Sequence, residues 1–118
     1  MAPKRGDRAA PPARAGEWTL VFAEQAAAAG WEELCSQAPG PTREAWDHLS
    51  RSPRDRTLNP GRIAQLRREL GQRVVRGRTL EQWQYEVTGA GRIWYCPDDA
   101  ERVVHITRAS TGHPKEAD

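Results

Sequence analysis

The sequence predicts an α+β domain in which a helical hairpin lies on an antiparallel sheet, and three observations carry that reading. Residues 17–22, EWTLVF, alternate so that Trp18, Leu20 and Phe22 share one side, the period of a half-buried strand. Two stretches with helical spacing follow, separated by the Pro-Gly-Pro at 39–41. After Gly77 three alternating runs, 82–87, 92–96 and 102–107, are joined by the turns TGAG and PDDAE, which makes a meander.

Residues 1–16 carry three prolines, four basic groups and one acid. They bury too little to offset the entropy of ordering them, so a mobile basic leader is expected before a domain at 17–118. The first helix follows from Ala27, Trp31, Leu34, Cys35 and Ala38 at helical spacing. Gly30 is expected to weaken it by roughly 1 kcal/mol relative to alanine. Thr42 reads as the cap of the second helix, whose apolar side is Ala45, Trp46 and Leu49, and Ser52-Pro53 closes it. Residues 53–79 leave two readings open. Asn59-Pro60 with Ile63, Leu66 and Leu70 suggests a short helix, whereas Leu66–Leu70 also suits a strand starting the main sheet.

At 118 residues the chain is one domain, and its five tryptophans supply much of its apolar area. No stretch nears the ~20 apolar residues that span a bilayer, and the N-terminus lacks the apolar core of a signal peptide, so a cytoplasmic protein is expected. Cys35 and Cys96 read as small buried hydrophobes, and the three separated histidines argue against a structural metal site.

Charge is uneven. Residues 51–78 hold nine arginines against Asp55 and Glu69, inside a chain of net charge +2. Codon bias explains why arginine outnumbers lysine sixteen to two, but it does not explain the clustering. Nucleic acid or ribosome contact is the simplest account, with a solvated basic face or an acidic protein partner as alternatives.

In the hairpin around TGAG, Trp83, Tyr85 and Val87 face a core with Ile93 and Tyr95, and the third run adds Val104 and Ile106. Arg92, Trp94 and Cys96 then share the opposite side with Gln82, Gln84 and Glu86. With helices on one side only, that second side is expected to be open, with Arg92 and His105 available to a phosphate. The competing reading pairs Arg92 with Glu86 across the hairpin, and pattern alone favours the pairing.

The opening strand, the helical hairpin at 24–51, the LRREL segment and the ending WQYEV…GRIWY…RVVHIT…GHP appear in an order and spacing that resemble the RelE/ParE superfamily of toxins from bacterial toxin–antitoxin pairs. The likeness runs from Trp18 to Lys115. It implies two N-terminal helices packed on a twisted, mainly antiparallel sheet of four to five strands, and it favours the strand reading of Leu66–Leu70. It implies either ribosome-dependent, metal-independent mRNA cleavage or, in the other branch, inhibition of DNA gyrase without nuclease activity. A non-catalytic RNA-binding module is the third reading.

Metal-free RNA cleavage needs a base for the 2′-hydroxyl, fixed positive charge for the phosphate and an acid for the leaving 5′-oxygen. The resemblance places Arg92 as the charge-stabilising group and His113 as the proton-transfer group, with His105 as a further candidate. Arg67, Arg68, Arg73, Arg76, Arg78 and Lys115 are expected to hold RNA phosphates, and the stretch 51–78 to grip ribosomal RNA. His48 reads as an ordinary surface residue. Nothing aromatic follows Tyr95, so the C-terminal tyrosine of many such nucleases is missing. A cognate antitoxin, the ribosome and mRNA are the implied partners; no cofactor, metal or membrane is expected.

Overall fold

The computed structural model describes residues 3–9, 11–57 and 61–112. Its elements in order are β1 (Thr19–Phe22), α1 (Gln25–Gln37), α2 (Pro39–Arg51), β2 (Ile63–Gln65), β3 (Gln72–Val75), β4 (Arg78–Glu81), β5 (Trp83–Glu86), β6 (Arg92–Asp98) and β7 (Val103–Ser110). Five strands form one sheet in the order β1-β7-β6-β5-β2, antiparallel except where β1 runs parallel to β7. This is the α+β arrangement expected, two helices with a mainly antiparallel sheet. Among the described residues, no helix is long and apolar enough to cross a membrane.

The alternation predicted from the hairpin sets the register. Trp83 lies opposite Tyr95 and Tyr85 opposite Ile93, and all four side chains are buried with Val104 and Ile106. The helices close this side with Ala27, Ala28, Trp31, Leu34, Ala45 and Leu49. Phe22 meets Trp31 edge-on, ring centroids 6.3 Å apart, an arrangement that suits the ring quadrupoles. Burying Tyr95 leaves its hydroxyl needing an acceptor, and it donates to the Pro53 carbonyl at 2.7 Å. Gly30 has a reason that helix propensity does not show. A Cβ there would lie 1.9 Å from the Ala109 carbonyl oxygen of β7, so only glycine lets α1 approach the sheet this closely.

Several expectations are corrected. The second helix begins at Pro39, where prolines in a first turn cost no hydrogen bond, so Pro-Gly-Pro starts the helix and is not a turn ahead of it. Thr42 is therefore inside α2, and its hydroxyl donates to the Leu34 carbonyl at 3.1 Å. Leu66–Leu70 is not a strand. The strand is Ile63–Gln65, and Arg68–Gly71 forms a 3-10 turn. Asn59-Pro60 lies outside the described residues. Cys35 is exposed on α1, whereas Cys96 is buried, its thiol pushed up to about 12 by desolvation. His48 is buried, with its ring centroid 5.6 Å from that of Tyr85.

Part of the expected leader is packed. Gly6 N–H donates to the Phe22 carbonyl (2.8 Å), Phe22 N–H to the Asp7 carbonyl (3.0 Å) and Ala9 N–H to the Leu20 carbonyl (2.7 Å). Composition predicts no buried side chains there, but the free backbone of edge strand β1 offers partners that composition does not register. Ala9 is buried as a result.

The larger departure is on the other side of the sheet. β3 and β4 form a hairpin of their own, joined by Arg76 and Gly77 with φ of 52° and 81°. Two successive left-handed residues make the tight loop whose twist matches its strands. This hairpin lies across the middle of the side expected to be open. Gln82, Cys96, His105 and Thr107 are buried beneath it, whereas Gln84, Glu86, Arg92 and Trp94 at one end stay half-exposed.

Candidate functional site

The hairpin leaves a hollow of about 480 Å³ between its own strands, β7 and the edge strand β1, lined by Val21, Arg76, Arg78, Asp98, Glu101, Val103 and His105. β1 and β7 bring Val21 beside His105 through their parallel register. β6 places Cys96 opposite His105 and projects Asp98 from the same side two residues on. The Arg76-Gly77 loop sets Arg76 on the rim.

Asp98 is 6 % exposed at its side chain and is paired with Arg78. His105 Nε2 lies 4.0 Å from the same carboxylate. A lone carboxylate would hold the imidazole protonated, but this one is already neutralised by Arg78. Desolvation dominates, Arg76 and Arg78 add to it, and the imidazole is pushed below its ordinary value of 6.5. The arrangement is a neutral base in a hollow lined by two arginines and two carboxylates, and it combines three expected site residues: His105, Arg76 and Arg78.

Arg92 is not among them. Its Nη1 donates to the carbonyls of Thr88 (3.1 Å), Gly89 (3.2 Å) and Gly91 (2.9 Å), and its Nη2 lies 3.7 Å from Glu86. The cross-hairpin pairing anticipated as an alternative is present, and the guanidinium chiefly ties its own turn. Four residues along β6 separate Arg92 from Cys96, the partner of His105, so the two sites are roughly 13 Å apart. His113 and Lys115 lie outside the described residues.

The basic stretch is divided. Arg54 spans Glu81 (3.0 Å) and Asp99 (2.9 Å), Arg73 pairs with Glu24, and Arg56 lies over the Trp83 ring. Arg51, Arg67, Arg68 and Arg76 are exposed and, among the described residues, make no ion pair. Internal pairing thus uses part of the charge that the sequence suggested for RNA.

The sequence reading missed Asp98 as the neutralised neighbour of His105, and it missed the covering hairpin. A signal for the hairpin existed, because VVRGRTL sets two residues ending in glycine between β-prone pairs. No protein-family model, characterised protein or solved structure matches this chain.

Proposed function

We propose that this chain is a toxin of the RelE/ParE type that acts on RNA, with the hollow over His105 as its working site. The observation that carries the reading is a buried imidazole, pushed below its ordinary value, beside Arg76 and Arg78. At neutral pH the imidazole is unprotonated and suited to take the proton of a ribose 2′-hydroxyl. As the 2′-oxygen attacks the adjacent phosphorus, Arg76, which makes no ion pair among the described residues, supplies positive charge that does not titrate away, and Arg78 adds to it by turning from Asp98 to the phosphate. The 5′-oxygen then leaves with a proton from a second group, the role that the resemblance gives to His113, producing a cyclic phosphate and a free 5′-hydroxyl. His105 is only 5 % exposed, so a substrate reaches it when the Arg76-Gly77 loop moves aside. The proposal includes a cognate antitoxin, ribosome-bound mRNA and action in the cytoplasm.

Induced expression in a bacterial host tests it. Growth arrest with discrete cuts in translated mRNA, mapped by primer extension and lost in His105→Gln and in the Arg76→Ala/Arg78→Ala double variant, is the expected result. DNA damage without RNA cuts would identify a gyrase-directed inhibitor instead. The burial of His105 and the Arg78–Asp98 pair favour a second reading, a basic module that binds RNA without cutting it. RNA binding without growth arrest or cuts would establish that one.

A further inference from the structure

Beyond the hairpin, on the half-exposed end of the same side, Trp94 and Arg108 face each other across β6 and β7. The Arg108 guanidinium lies over the indole, 5.2 Å from the ring centroid. A bulge at Trp94/Tyr95 gives β7 one extra residue here, so Thr107 turns inward to donate to the Gln82 side chain while Arg108 remains beside Trp94. The indole is fixed in orientation because its N–H donates to the Gln84 side chain at 2.9 Å across the β5–β6 pair. Trp18, Trp31, Trp46 and Trp83 are buried, so Trp94 is the half-exposed tryptophan of the five.

This pair borders a second hollow of about 450 Å³, whose lining includes Arg73, Thr107, Ser110 and Glu24. Arg73 and Glu24 also line a third hollow, which contains His105 and Arg76. The Arg73–Glu24 pair therefore borders both hollows, one holding the neutral histidine and the other the indole. Two residues along β6 separate Trp94 from Cys96, the partner of His105, so the histidine and the indole are roughly 7 Å apart along the strand.

We propose that Trp94 and Arg108 form a stacking subsite for a nucleobase of single-stranded RNA whose adjoining phosphates lie against Arg76 and against Arg73 and Arg78, where phosphate takes the place of Glu24 and Asp98. This deepens the RNA-directed reading above and rests on it. A half-exposed indole with a guanidinium 5.2 Å from its ring centroid offers every base a π-face and its phosphate a charge, so the subsite holds RNA without selecting sequence. Duplex RNA is excluded because its bases are already stacked on one another.

The test compares binding of a single-stranded oligoribonucleotide, an abasic ribose-phosphate oligomer of equal length and an RNA duplex, followed by tryptophan fluorescence and by titration. The variants are Trp94→Phe, Trp94→Leu and Arg76→Ala/Arg78→Ala. Trp94→Leu keeps apolar bulk, so loss of folding is not its expected effect, and circular dichroism verifies this. The expected result is a ten- to hundred-fold loss of single-strand affinity in Trp94→Leu, about the scale of one base stack. Trp94→Phe is expected to retain most affinity, and abasic-oligomer binding is expected to be unchanged by either. The Arg76/Arg78 variant weakens both single strands alike and flattens the salt dependence. If the arginine variant loses binding but Trp94→Leu does not, the stacking subsite is wrong and the RNA-directed reading stands. If the wild-type protein binds neither strand, both are wrong.

Discussion

Where α1 and α2 cover the sheet, the contact is made by Leu34, Leu49, Trp31 and Ala28 against Phe22, Tyr85, Ile93 and Ile106. Where the β3–β4 hairpin covers it, the hairpin is tied down by Arg78 on Asp98 and Arg73 on Glu24, with Val75 its one buried apolar side chain among the described residues. The first cover works by apolar burial, which is non-directional and roughly additive in area. The second works by paired polar groups, whose gain is largely offset by their desolvation. The helical side is built to stay shut, and the hairpin side is held by terms small enough to be exchanged for contacts with a ligand.

The largest expected effect lies on the helical side. Gly30→Ala raises helix propensity by about 1 kcal/mol, yet here it is expected to destabilise by about 2–3 kcal/mol, because the added carbon meets β7 backbone that has nowhere to go. Urea denaturation measures it, and a stabilised variant would show that α1 is not seated as described. On the hairpin side, Arg78→Ala leaves a buried carboxylate unpaired. A loss of about 1–2 kcal/mol is expected, with faster amide exchange in β3 and β4 than in β5 and β6. Equal exchange across all four strands would erase the distinction between the two covers.

Acid sharpens the same comparison because each side buries one histidine. Burial pushes both His48 and His105 below their ordinary value of 6.5. The folded chain therefore holds them neutral, and the unfolded chain binds more protons once the pH falls under 6.5. Their contribution is complete above that value and is lost as pH falls through it towards the lower folded values. Stability measured from pH 7.5 to 5 is expected to decline, and His48→Gln is expected to remove part of the slope. The smallest effect belongs to Arg92→Ala, about 0.5–1 kcal/mol, seen mainly as faster exchange in the Thr88–Gly91 turn. RNA cleavage within a few-fold of wild type is expected for it. A complete loss of cleavage would restore Arg92 to the site.

The apolar side was legible because alternation fixes it: once Trp83 and Tyr85 point inward, Ile93, Tyr95, Val104 and Ile106 follow from register. The polar side was not, because alternation says only that Gln82, Cys96 and His105 point outward together. What covers them depends on a hairpin formed by residues 72–81, and its placement comes from long-range pairs such as Arg78 with Asp98. Arg92 was legible as a choice between phosphate and Glu86, and the carbonyls of its own turn take most of the guanidinium. Arg76, Arg78 and His105 were each named from the sequence, but their meeting in one hollow required knowledge of the hairpin fold.

β1 pairs with β7, so the first strand of the fold finds its neighbour only in the last. A chain emerging from the ribosome carries Val21 for most of its synthesis with no His105 to set beside it, and long-range parallel pairing of this kind forms late. The hollow that has Val21 in one wall and His105 in another is thereby completed only after residue 105 has been made.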